Sequence, residues 1–243
     1  MTFVLVGAVG FLIGLAAHDL ALQSLDDQVG LRPFVGVCRV CDDRRGWLVT
    51  RCRRCGAWVG RELVLGVTTA LVALGFANTV GFTWLLIPYL GFLLLSAALA
   101  ITDLDEFRIV DRLNLSGTTL LVFVLGAVTV ADGRWEAGLR GLGGAGAYFA
   151  GTTLLFLLVR GQGFGAGDVK LAPQLGLFTG YLGWSVLGWA VFATAAIGGF
   201  LALVLIMAGG ANRKTELPYG PAMILGAWTA IVLVGVGAIP VPP

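Results

Sequence analysis

"FTWLLIPYLGFLLLSAALAIT", residues 82–102, runs for a whole span without a single charged residue and then meets Asp103. About 20 consecutive apolar residues cross the hydrocarbon core of a bilayer. Backbone groups in lipid must pair within their own segment, so such a run is a helix. Working outward, comparable runs lie at about 3–23, 63–80, 113–131, 141–159, 169–183, 184–209 and 219–239. The sixth is short and carries Lys170, Pro173 and Gln174, and only Gly183, Trp184 and Ser185 divide it from the seventh. Over the whole chain of 243 residues, 58% are hydrophobic and 12% charged, about half the charge of a soluble domain. The expected fold is an all-α polytopic membrane protein of about eight transmembrane helices. It divides into a first helix (1–25), a cytosolic segment (26–62) and a core of about seven helices (63–243). The start, Met1–Thr2, lacks a basic n-region and a cleavage motif, so the first run reads as a retained span.

The net charge of +2 says little, but its distribution sets the orientation. If the first helix runs inward, eight arginines from Arg32 to Arg61 face the cytosol. So do Arg108, Arg112, Arg160, Lys170, Arg213 and Lys214, leaving only Arg134 and Arg140 outside. Cytoplasmic loops retain Lys and Arg, so the cysteine-bearing segment is expected in the cytosol and both termini outside.

That segment holds Cys38-x2-Cys41 and Cys52-x2-Cys55. Two such pairs supply four thiolates to one tetrahedral zinc ion, and a four-thiolate site has no open position, so the zinc is expected to be structural. A reducing cytosol argues against disulfides. Arg39, Arg51, Arg53 and Arg54 help keep the thiolates ionised.

Two acidic stretches break the apolar pattern. "ITDLDEFRIVDRLNL" (101–115) carries Asp103, Asp105, Glu106 and Asp111, and "GFGAGDVKLAP" (163–173) carries Asp168 behind Gly163, Gly165 and Gly167. A carboxylate inside a span costs roughly 2.5–3.5 kcal/mol on insertion scales, which calls for a function. The parity of the spans puts Asp103 and Asp168 at the same membrane face, although 65 residues separate them. Two carboxylates near one another do not both ionise easily, and such a pair can act as general acid and base on water. The plainer reading is that Asp168 and Asp111 are helix caps. On that reading Lys170 is a snorkelling anchor and the acids and arginines near 105–112 form a solvated loop. The three glycines fit a site where an extended backbone approaches closely.

"TDLDEFRIVDRLNL", "GAGDVKLAPQLGLF" and the late "LPYGPAMILGAW" resemble the bacterial type IV prepilin peptidases, members of the GxGD intramembrane aspartyl proteases. The paired cysteines followed by "RELVLG" fit the same family. The resemblance implies Asp103 and Asp168 as the catalytic pair, with Asp111 matching a further family acid. It implies a prepilin or pseudopilin precursor as substrate, its short charged leader ending in Gly before an apolar helix. It also implies residence in the bacterial cytoplasmic membrane with the active site facing the cytosol and no nucleic acid partner; oligomeric state stays open. Many members also methylate the new N-terminus with S-adenosylmethionine, a cofactor implied here only if that activity is present. The chain departs from the family at "GLAAHDLALQ" (14–23), where His18 and Asp19 replace a Gly-Ser-Phe-Leu-Asn-like stretch. A presenilin-like protease, a proton-coupled transporter and a non-catalytic zinc-bearing assembly protein are the alternatives. The cysteines and the Thr-Asp motif argue against the first, and acids gathered at one face argue against the second.

Overall fold

The computed structural model describes residues 1–25, 36–37, 44–45, 60–159, 165–207 and 219–240. Among them are eight helices: α1 (Thr2–Leu25), α2 (Gly60–Val80), α3 (Leu86–Glu106), α4 (Asp111–Ala131), α5 (Trp135–Leu158), α6 (Ala166–Leu182), α7 (Trp184–Met207) and α8 (Gly220–Gly235). Gly36–Val37 and Arg44–Arg45 pair as a minimal antiparallel ladder between α1 and α2. Six helices (α1 to α5 and α7) are long and apolar enough to cross a membrane. This is a multi-pass helical membrane protein.

α3 is the central post. In its apolar window 72% of residues are buried, against no more than 39% in any other candidate span. It is clamped to α6 through aromatic side chains: Phe92 and Phe178 stack at 4.5 Å, and the Tyr89 hydroxyl donates to the Phe178 carbonyl at 2.8 Å. α8 lies antiparallel to α3, with Trp228 Nε1 donating to Ser96 Oγ at 3.0 Å. α5 and α6 touch backbone to backbone: a Cβ on Gly180 would lie 3.0 Å from the Gly144 Cα, and one on Gly176 would overlap the Gly144 carbonyl. Such close approach is the membrane use of small residues, since lipid supplies no hydrophobic drive between helices. α1 and α2 close in the same way, where Thr69 Oγ1 donates to the Gly10 carbonyl at 2.8 Å.

The clamp sets the depth of the two acids. Asp103 lies eleven residues beyond Phe92, and Asp168 ten before Phe178. At 1.5 Å per residue these are about 16 and 15 Å along antiparallel helices, so both acids reach the same end.

Candidate active site

Asp103 stands in the last turn of α3, which ends where Phe107 turns left-handed (φ 52°) and returns its N–H to the Asp103 carbonyl at 3.0 Å. The Asp103 carboxylate is buried, 6% exposed, and its Oδ2 accepts the backbone N–H of Gly220 at 3.1 Å. Asp168 is equally buried, at 5%. It sits in the first turn of α6, and its Oδ2 accepts the N–H of Gly165 at 2.9 Å. The two carboxylates are within electrostatic reach of one another. Tyr148 and Tyr219 sit within the same reach of Asp168. Among the described residues neither acid has an ion-pair partner, so the site joins two buried carboxylates, two backbone donors and nearby phenols.

Several sequence expectations change here. The N-cap of α6 is Gly165, not Asp168: Asp168 occupies the third helical position and reaches back to the cap's N–H. The N-cap of α4 is Val110, not Asp111. The Asp111 carboxylate instead receives Lys170 Nζ at 2.8 and 2.7 Å, so Lys170 is an ion-pair partner rather than a lone anchor. Asp105 and Glu106 are helical rather than loop, and Asp105 holds Arg61 of α2 at 2.7 Å. The expected room at the glycines is partly filled. A Cβ on Gly167 would stand 2.9 Å from Ile109 Cγ1, so Ile109 occupies that side. Gly163 lies outside the described residues, as do Cys38, Cys41, Cys52 and Cys55.

Three contributors escape sequence reasoning. Gly220 serves through its backbone N–H, which leaves no mark in a sequence. Tyr219 stacks over Gly198, where a Cβ would overlap its ring. Ile109 reaches both acids' surroundings, since its Cδ1 would also lie 3.4 Å from a Cβ on Gly220. The block "LPYGPAMILGAW" marks the segment that holds Tyr219 and Gly220, but not what either residue does.

α4 braces α6 beside the site. Asn114 Nδ2 donates to the Lys170 carbonyl at 2.9 Å, and Thr118 Oγ1 to Gln174 Oε1 at 3.0 Å, continuing the Asp111–Lys170 pair down the seam. At the same end of the bundle a second polar cluster joins α1 to α2. His18 Nδ1 is 3.4 Å from Glu62 Oε1 and 3.9 Å from Asp19 Oδ1, so its nearest acid is across the helix pair rather than its sequence neighbour. Among the described residues no group of three or more His, Cys, Asp or Glu is arranged to hold a metal.

Comparison with known proteins points the same way. Residues 89–207 match the type IV leader peptidase family. A prepilin leader peptidase/N-methyltransferase of Aeromonas hydrophila is 28% identical over 193 residues, covering 76% of this chain and 63% of the relative. A protein of the same description from Stutzerimonas stutzeri is 30% identical over 202 residues, covering 76% and 64%. One from Bacillus subtilis (strain 168) is 27% identical over 183 residues, covering 73% and 68%. The chain thus spans a little under two thirds of the length of the first two relatives. No solved structure matches it. The matched stretch, just under half of the chain, contains both buried aspartates and is similar to the type IV leader peptidase family.

Proposed function

We propose that the protein is a membrane-embedded aspartic endopeptidase that removes the leader from type IV prepilin-like precursors, with Asp103 and Asp168 as its catalytic pair. The observation that carries this reading is the meeting of two buried carboxylates at one end of the bundle, each held by a single backbone N–H. One carboxylate takes a proton from water as the oxygen attacks the scissile carbonyl carbon. The other, protonated, donates its proton to the carbonyl oxygen, giving a gem-diol. The first then passes the proton it took from water to the departing amine as the C–N bond breaks, and the second recovers a proton from a gem-diol hydroxyl. No metal or cofactor enters the step. The named relatives support a prepilin as the substrate class. The excess of basic residues at the aspartates' end supports a cytosolic site in a bacterial cytoplasmic membrane.

The apolar helix behind the substrate's leader would lie among the peptidase's own helices, fixing the scissile bond beside the acids. An extended segment reaching both carboxylates must displace Ile109 from its place between Gly167 and Gly220. Structural zinc on Cys38, Cys41, Cys52 and Cys55 remains part of the proposal on the strength of their spacing. Methylation with S-adenosylmethionine is not included: His18 and Asp19 occupy the departing stretch, and their cluster does not by itself define a methyl-donor site. The test is incubation of membranes containing the protein with candidate prepilins, followed by N-terminal sequencing of the product. Cleavage after the leader's terminal Gly supports the reading, and intact precursors throughout would defeat it.

A further inference from the structure

The end of the bundle opposite the aspartates holds a cavity of about 720 Å³. That lies within the ~300–1,000 Å³ of ordinary ligand pockets. It opens where the two shortest helices stop, beside Tyr181 and Leu182 of α6 and Val234 of α8. Tyr181 is thirteen residues along α6 from Asp168, about 20 Å, so this cavity is separate from the catalytic pair.

Its chemistry is specific. Arg134 and Arg140, the only two basic residues that the charge pattern leaves on this side, both line it. Arg140 is fixed in place: Nε donates to the Gly180 carbonyl at 3.2 Å and Nη2 to the Tyr181 carbonyl at 2.9 Å, leaving Nη1 uncommitted to these bonds. Among the described residues Arg134 has no ion-pair partner, and Glu136, although four residues before Arg140, pairs with neither arginine. The rest of the wall is mostly apolar (Leu85, Leu182 and Val234 among others) with Thr79 and Tyr181 set in it, and Trp135 is 60% exposed at the rim, as aromatic residues at a membrane interface are.

We propose that this cavity binds the phosphate of an anionic amphiphile, the headgroup of a phosphatidylglycerol-type lipid. The guanidinium forks of Arg134 and Arg140 meet the phosphate oxygens. Glu136 accepts from headgroup hydroxyls, and the apolar wall takes the start of the acyl chains.

The full-length protein in detergent is offered phosphatidylglycerol or phosphatidylcholine at equal concentration, and bound lipid is read by native mass spectrometry. Both lipids carry the phosphate, but choline brings a fixed cation beside Arg134 and Arg140 and offers Glu136 no hydroxyl, so phosphatidylglycerol should be retained at least about tenfold better. Arg134→Gln, which breaks no side-chain hydrogen bond or ion pair among the described residues, should remove most of that preference, and Arg134→Gln/Arg140→Gln all of it. Arg112→Gln, at the other end of the bundle, should leave it intact. Competition by soluble glycerol phosphate would identify a free phosphate ester as the source of the ligand, and its failure to compete would identify the lipid. Equal retention of the two lipids, or a preference unchanged in Arg134→Gln, overturns the site. These readouts do not depend on peptidase activity.

Discussion

Gly220 and Asp103 stand 117 residues apart, yet the backbone N–H of the first donates to Oδ2 of the second at 3.1 Å. The bond is made at the start of α8, where the helix's first N–H groups lack partners inside the helix. Asp103 supplies one of those missing acceptors, and α8 in return fixes the carboxylate's rotamer. A Cβ at position 220 would lie 2.7 Å from the same oxygen, so only glycine permits the contact.

Gly220→Ala should therefore move the Asp103 carboxylate without removing it. A displacement near 1 Å costs about 100-fold in rate where reacting groups must align. The expected result is cleavage reduced by about that factor, with expression and membrane insertion unchanged. Full activity in the alanine variant would show that Asp103 does not need its α8 partner.

The Asp111–Lys170 pair lends itself to a charge exchange. Both side chains are more than half exposed, so the pair itself is worth about 0–1 kcal/mol. Asp111→Lys and Lys170→Asp should each lower the melting temperature and slow cleavage a few-fold, since each sets like charges across the α4–α6 seam. The double exchange should recover most of both. Additive losses in the double variant would mean that the two residues act separately.

How much of this was legible from residues alone depends on the kind of signal. Eight apolar runs became eight helices, because about twenty uncharged residues have no other stable form in lipid. The ends moved for local reasons. The third run, 82–102, loses its start to a bend and turn over Phe82 to Leu85, and the helix spans Leu86–Glu106. Its acids do not end it; Phe107 does. Asp103 and Asp168 stood out because carboxylates beside apolar spans are costly, and parity placed them at one end. Asp111 was misread because a capping preference is weaker than a lysine within reach, and the register that brings Lys170 there is a tertiary fact. Ile109 and Gly220 carried no chemical signal: one acts by bulk and the other through its backbone.

The four cysteines predict a metal dependence. A closed thiolate site contributes folding energy, so Cys→Ser at Cys38, Cys41, Cys52 or Cys55 should lower both zinc content and thermal stability of the purified protein. Elemental analysis should return one zinc per chain in the parent. Parent protein lacking zinc, with all four serine variants equally stable, would leave the cysteines without this role.

The last prediction concerns the pair itself. Asp103 and Asp168 are both buried, each accepts a backbone N–H, and the charge of Asp103 reaches Asp168. If they act as one acid–base unit, replacing either by Asn removes a proton acceptor while keeping shape and a hydrogen-bonding oxygen. Asp103→Asn and Asp168→Asn should each abolish prepilin cleavage while substrate capture and expression persist. The double variant should be hardly worse than either, since residues acting as a unit are strongly non-additive. Glu106→Gln should leave most activity, because Glu106 takes no part in the paired site. Asp105→Asn should cost somewhat more, through its ion pair with Arg61 rather than through chemistry. Restoration by lengthening, Asp168→Glu, is not expected, because the first turn of α6 holds Oδ2 against the Gly165 N–H and an extra methylene moves it off. Substantial cleavage by either Asn variant would refute the pair, and Asp168 would then serve only to tie the first turn of α6.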